Sequence, residues 1–315
     1  MKQKIGIYLP VKSSLSDRDY SSSLGLIKEG WRKKIIKKME KKFSEYEIIN
    51  NIDFKNFSIM NDQIYYENKP LKLNTYFWYS HINLDYDSYH LHVLKHLHKT
   101  CRVVKNPFGE EIGIDKFKSH QILKFNGFDV ADYLFISSRN LDFAKKILKK
   151  WKRIVVKPRL GNYGVGVMLI KDYPTLRDLF GTLRENTNKE EVELLVERFY
   201  PHSMKDWISV VVFNHKSIYG YRKKPHKFVE GWKVYDDNKI GGDPSTVDYV
   251  NPPEKLKRAS EEASKVMNAD AISFDFIKTG DTYKIVDENT KPGLYEKCFK
   301  KARIPVEDAF LSLML

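Results

Sequence analysis

Short apolar runs separated by polar stretches occupy the first third of the chain, and their spacing predicts strands alternating with helices. Residues 4–9 (Lys-Ile-Gly-Ile-Tyr-Leu) read as a buried strand, and the Ser-rich stretch 11–23 reads as a loop. Leu24, Ile27, Trp31, Ile35, Met39 and Phe43 then recur at steps of three and four, which predicts an amphipathic helix with its lysines outward. Residues 46–49 follow as a second strand, so the chain opens as a parallel α/β unit. Residues 64–66 and 76–79 are further strand candidates. Residues 89–99 carry the helical stripe Leu91, Leu94 and Leu97, and the strand at 101–104 stops at Asn106-Pro107.

The rhythm changes near residue 114. Residues 115–126 predict a helix with Asp115 as its cap and Gly127 just past its end. Strands are expected at 133–137, 153–157, 167–170, 193–199, 206–213 and 216–222, and helices at 141–151 and 176–183. Asn214-His215 reads as a turn and 238–242 as a loop. Asn251-Pro252-Pro253 starts a helix running to about Met267, with the prolines in its first turn, and a short apolar helix closes the chain at 305–315. No internal repeat is present.

Between those last two helices, two apolar runs flank Gly280-Asp281 and predict a β-hairpin. With a three-residue loop, 280–282, Asp275 lies directly opposite Asp287. Asn289 then shares their face, and Glu288 points the other way. Two carboxylates facing each other across strands repel. A divalent cation removes that repulsion, and Asp275, Asp287 and Asn289 offer the oxygen ligands that suit Mg²⁺ on nucleotide phosphates. The alternative is a solvated turn with surface acids.

Composition narrows the field. The 315 residues are 42% hydrophobic and 13% aromatic, enough for a sizeable core in one large or a few modest domains. Lys+Arg 55 against Asp+Glu 41 gives +14, which favours an anionic partner, although many of the lysines sit on solvated helix faces such as 31–42. Two cysteines, Cys101 and Cys298, make no disulfide framework and suggest a reducing compartment. The N-terminal apolar run is too short for a signal-peptide core, and no run approaches the ~20 apolar residues of a membrane span. A cytoplasmic location without a membrane partner is expected. The basic residues are dispersed and lack interleaved aromatics, so nucleic acid is not the expected partner.

Two local signals are weak alone. His90, His92, His96 and His98 share one helix, and His92 and His96 have metal-ligand spacing, but no Glu or Cys supports them; a polar helix face is the preferred reading. Gly161, Gly164 and Gly166 form a loop between two strands. That position excludes a Walker A loop or a dinucleotide fingerprint, both of which lead into a helix. Glycines there still allow close approach of backbone N–H groups to phosphate oxygens, while a plain hairpin turn is the bland reading.

The ordered set Asp115-Lys116, Lys157-Pro158, the glycine loop, Glu197-Arg198-Phe199, Asp206, Arg222, Asn238-x-x-Gly241-Gly242, Asp275 and Asp287-x-Asn289-x-x-Pro292-Gly293 resembles the ATP-grasp superfamily over about residues 100–295. Its look is nearest to the branch of RimK-type ribosomal-protein glutamate ligases, glutathione-synthetase-like enzymes and YheC/YheD-type proteins. The resemblance implies an ATP-grasp fold, α/β and α+β. An N-terminal α/β pre-ATP-grasp domain would span 1–114, a lobe with the glycine loop 115–196, and a lobe with the metal site 197–315. It implies an ATP- and Mg²⁺-dependent carboxylate–amine ligase working through an acylphosphate. Lys116, Lys157 and the loop Gly161, Gly164 and Gly166 would hold phosphates. Glu197 and the backbone of Arg198 and Phe199 would read adenine, and Asp206 would lie near the ribose. Asp275, Asp287 and Asn289, with Glu288 as an alternative, would hold a pair of Mg²⁺ ions, and Arg222 and Asn238 would serve the transferred phosphoryl group. The glutamate ligases carry Asp-x-Arg where this chain has Asp206-Trp207-Ile208, which puts their substrate in doubt here. Lys223, His226 and Lys227 could line a pocket for an acidic amino-acid or peptide acceptor, or belong to a solvated loop. A small-molecule kinase or a non-catalytic ATP-binding protein on the same fold are the other readings. Oligomeric state stays open, a homo-oligomer included.

Overall fold

The computed structural model describes residues 2–11, 27–80, 88–161, 164, 166–187, 190–224, 228–229, 233–234 and 247–315. Three sheets carry most of the structure. In chain order the first region contains β1 (Lys4–Tyr8), α1 (Glu29–Lys42), β2 (Glu47–Asn50), β3 (Phe57–Met60), β4 (Gln63–Tyr66), β5 (Lys69–Pro70), β6 (Thr75–Trp78), α2 (Tyr89–His98) and β7 (Arg102–Val104). The first sheet is parallel, in the order β2-β1-β6-β7, and β3-β4-β5 form a small antiparallel appendage. Side-chain alternation along β6 divides its burial. Tyr76 and Trp78 pack with Leu91, Leu94 and Leu97 of α2, while Phe77 packs on the side of α1 with Trp31, Ile35 and Met39. Trp31, Ile35 and Met39 of the stripe read from the sequence form the buried face of α1, Ile27 and Phe43 flank the helix, and Leu24 lies outside the described residues.

Next come α3 (Pro107–Ile114), α4 (Lys116–Phe125), β8 (Tyr133–Ser137), α5 (Leu141–Trp151), β9 (Ile154–Pro158), β10 (Met168–Ile170), α6 (Tyr173–Thr187) and β11 (Glu193–Arg198). Asn106-Pro107 does not simply end a strand. The Asn106 side chain accepts from the Phe108 N–H and Pro107 takes the first turn, so the pair starts α3. Asp115 caps α4 by accepting from the N–H groups of Phe117 and Lys118. Strands β10-β9-β11-β8 form an antiparallel sheet, with α5 and α6 packed on it through Ala144, Leu148, Leu176 and Phe180.

The remainder is β12 (Trp207–Phe213), β13 (Lys216–Lys223), the short ribbon β14 (Phe228–Val229) and β15 (Lys233–Val234), β16 (Val247–Val250), α7 (Glu254–Val266), β17 (Ala271–Thr279), β18 (Thr282–Asn289), α8 (Glu296–Ala302) and α9 (Val306–Ser312). Pro253 stands just before α7 as its cap residue rather than inside its first turn. The third sheet, β16-β13-β12-β17-β18, is antiparallel. One face carries Val210, Val212, Ile272 and Phe274 against α7 and Leu123 of α4. The other face carries Val211, Phe213, Tyr219 and Tyr221 into the same core as α1, α8, α9 and the parallel sheet. The packing therefore cuts across chain order, since α4 follows the third sheet and the N-terminal sheet shares a core with it.

Candidate active site

The β17–β18 hairpin places the acids. Its turn is Gly280-Asp281 alone, because Thr279 pairs with Thr282, and Gly280 has φ +62°. A two-residue turn by itself would set Asp275 against Val286. A β-bulge instead shifts the register between Asp275 and Phe276, so that Phe276 pairs with Ile285 and Asp275 with Asp287. Asp275 thus meets Asp287 as the alternation required, by a shorter turn plus a bulge rather than a longer loop. Asn289 pairs with Ser273 on the same face.

Basic groups converge on this strand. Lys157 Nζ on β9 donates to the Val286 carbonyl at 2.5 Å, and Lys116 Nζ on α4 donates to Asp287 Oδ1 at 2.5 Å. Lys223 Nζ on β13 lies 2.9 Å from Asp275 Oδ2, and Ser209 Oγ on β12 donates to Asp275 Oδ1 at 2.5 Å. Burial raises the Asp287 carboxyl pKa, but Lys116, Lys157 and Lys223 outweigh it and hold the group down to about 2. Burial likewise opposes the charge on Lys116 and Lys223, and their carboxylate partners, Asp287 and Asp275 foremost, raise both above the ordinary lysine value.

Glu288 faces away from these acids. Its fully buried carboxylate lies 3.0 Å from His120 Nδ1, and His120 Nε2 lies 3.0 Å from Glu197 Oε1. Glu197 also pairs with Lys157 at 2.7 Å. Its carboxylate therefore serves Lys157 and His120. The N–H groups of Arg198 and Phe199 donate to the carbonyls of Asp132 and Arg153, so contact with a base through those two N–H groups is not what the structure offers. Asp206 Oδ2 accepts from Ser203 N and Oγ and closes a tight turn; those bonds lower its pKa.

The glycine loop joins β9 to β10, as its position between strands implied. Gly164 and Gly166 have φ of +70° and +72°, and a Cβ on Gly166 would stand 2.6 Å from Pro158 Cγ. Gly161 precedes them in the same connection. Along β13, alternation turns Arg222 to the face opposite Lys223, so the cation this strand presents to Asp275 is Lys223. Among the described residues Arg222 Nε has no hydrogen-bond partner. Asn238, His226 and Lys227 lie outside the described residues.

His120 was not singled out from sequence, although its place four residues after Lys116 in a capped helix puts both on one face. Arg159 was also missed. It grips Asp115 through Nε and Nη2 at 3.0–3.2 Å and so braces the start of α4. The four histidines of α2 do not converge. His90 packs edge-on to Phe54, His96 Nε2 bonds the Asp62 carbonyl, and His98 accepts from Val103 N. Among the described residues no group of three or more His, Cys, Asp or Glu side chains could hold a metal, so a cation at the hairpin would have two carboxylates and an amide oxygen.

A family model for the RimK-like ATP-grasp domain matches residues 113–313. The chain belongs to that family. No curated protein matches it. Among solved structures it is similar to the D-alanine–D-alanine ligase of Bacillus anthracis complexed with ATP, at TM-score 0.64 and 18% identity over 99% of this chain and 96% of that one. It is also similar to the ATP-grasp ligase PsnB complexed with minimal precursor, Mg and ADP, at TM-score 0.61 and 11% identity over 99% and 98%. The D-cycloserine synthetase DcsG gives TM-score 0.65 and 10% identity over 98% of each chain. At these identities the likeness shows a shared fold. Among the described residues no helix is long and apolar enough to cross a membrane.

Proposed function

We propose that this ATP-grasp protein is an ATP- and Mg²⁺-dependent ligase joining a carboxylate to an amine, with an amino acid or peptide among its substrates and one partner acidic. The observation that carries the reading is the convergence of Lys116, Lys157 and Lys223 on the facing pair Asp275 and Asp287. The donor set fits Mg²⁺, which is typically held by one or two carboxylates plus substrate phosphates. Asp275, Asp287 and the Asn289 amide oxygen would hold the metal, as a pair of ions in the fullest form of the reading. When bound, Mg²⁺ would neutralise charge on the phosphate oxygens. Lys116 and Lys157 would orient the nucleotide, and the loop at Gly161, Gly164 and Gly166 would cover its phosphates and exclude water. Lys223 would face the transferred phosphoryl group, in the place first expected for Arg222. A substrate carboxylate would attack the γ-phosphate, releasing ADP and forming an acylphosphate; an amine would then displace phosphate and form the amide. Similar ligase structures complexed with ATP, or with Mg and ADP, support the choice of nucleotide and metal.

A screen of amino acids and acidic peptides for ADP release, with mass spectrometry of products, tests this. The expected result is an amide product, and a hydroxamate when hydroxylamine replaces the amine. A phosphorylated product without hydroxamate would assign a kinase instead. Nucleotide binding without turnover on any acid would point to a regulatory protein.

A further inference from the structure

Three consecutive residues of β18, at its bulge, are each held by a basic group from outside the hairpin. Lys157 holds the Val286 carbonyl, Lys116 the Asp287 carboxylate and His120 the Glu288 carboxylate. His120 does more than hold one strand. Its ring is fully buried, and its second nitrogen lies 3.0 Å from Glu197 on β11, whose Oε1 pairs with Lys157 at 2.7 Å. Tyr133 closes the ring's edge, with centroids 5.7 Å apart. Neutral imidazole has one donor and one acceptor, so two ionised carboxylates can both be satisfied only by the doubly protonated ring. Burial opposes that charge, yet Glu288 and Glu197 outweigh it and push His120 up to about 9.

From this geometry we infer that His120 is a positioning residue. It ties Glu197, and through it the ammonium of Lys157, to Glu288, and through β18 to Asp287, so that the nucleotide-facing lysine and the metal-facing acid move as one unit. The inference rests on the nucleotide and metal reading above. No atom of His120 is assigned to touch substrate. The linkage is one chain of charge contacts running from β9 through β11 and α4 to β18, beside the direct Lys157–Val286 carbonyl bond, and removing either arm leaves that bond alone to join the two ends.

The consequence is energetic coupling between the two ligands, beyond the direct attraction of metal for phosphate. The test is calorimetry of ADP binding to the full chain, once with EDTA and once with saturating MgCl₂. The ratio of the two Kd values measures the coupling. In wild type, Mg²⁺ should tighten ADP. In H120A and in E288Q, that tightening should shrink by about ten-fold, while the Kd in EDTA stays within about three-fold of wild type. A residue with only a structural role would weaken both Kd values together and leave the ratio unchanged. If H120A does not fold, E288Q decides, because it leaves the His120–Glu197 arm in place. An unchanged ratio in E288Q overturns the inference alone. Absence of ADP binding in wild type removes the nucleotide reading and this inference with it.

Discussion

At the scale of single residues, Asp287 and His120 do opposite things with one run of three residues. Asp287 shares a face of the hairpin with Asp275, its side chain is 37% exposed, and lysines depress its pKa. It is charged across the physiological range. Asp287→Ala should abolish Mg²⁺-dependent ADP release, a loss of at least about 100-fold in kcat. Its circular dichroism should match wild type, because the backbone pairing of β18 with β17 does not depend on the Asp287 side chain. Retained turnover in that variant would remove Asp287 from the metal site. His120 makes its contribution inside. Its folded pKa, about 9, lies above the ordinary value of 6.5. Its stabilisation is therefore complete below pH 6.5 and fades as pH rises through 9, on the order of 3 kcal/mol over that window. Lys291, which burial drags down to about 7 against the pull of Glu110, acts with the opposite sign in the same range. The comparison of urea midpoints in wild type and H120Q at pH 6 and pH 9.5 cancels Lys291. Wild type should lose more stability than H120Q between the two, and parallel losses would show that His120 is not charged in the native state.

At the scale of elements, the hairpin shows why some features were legible and others were not. The facing of Asp275 and Asp287 followed from period-two alternation, but the route to it, a two-residue turn with a bulge at Val286, depends on cross-strand pairing that no local pattern records. The stripe of α1 was readable from its period and the start of α4 from its Asp115 cap. The start of α3 at Asn106-Pro107 was masked by a dipeptide that ends strands as readily as it begins helices. The His120 link was hidden for another reason: its partners, Glu197 and Glu288, lie on different sheets, and only the fold brings them to one ring. That Lys223 rather than Arg222 meets Asp275 needed the register of β13 on β12. The glycine loop makes its own prediction at this scale. Gly166 combines φ +72° with a Cβ position 2.6 Å from Pro158 Cγ, so Gly166→Ala must either shift the loop or move the proline. The strain should exceed about 1 kcal/mol. ADP affinity should fall roughly five- to ten-fold with little change in the melting of the rest. Unchanged affinity would mean that the loop does not touch phosphate.

At the scale of the whole molecule, the arrangement of cores decides how the protein unfolds. A chain with three main sheets could melt in three steps. Two of its sheets, however, share one apolar core, and Phe310 of α9 stands in the middle of it. This ring is fully buried and packs against Tyr79 just after β6 at 5.0 Å and against Phe213 of β12 at 5.4 Å, with Phe77 of β6 at 6.4 Å. Arg102 of β7 reaches the carbonyls of Leu313 and Met314 and fastens the same C-terminal turn to the parallel sheet. The terminal segment thus serves as a wedge common to the N-terminal sheet and the acid-bearing sheet. The sheet built from β8 to β11 has a separate core and joins the others through α4, the Lys157–Glu197–His120–Glu288 chain and the pairing of residues 129–131 with Ile285. Phe310→Ala should cost about 3–5 kcal/mol by cavity formation. Because the cavity opens between two sheets at once, both should lose stability together. Residue-resolved hydrogen exchange is the measurement. Amides of β1, β6, β12 and β17 should gain opening by a similar factor in F310A, and those of β9 and β11 should change less. A loss confined to α9 and β6, with β12 and β17 as protected as in wild type, would show that the two sheets unfold independently and that the shared core does not couple them.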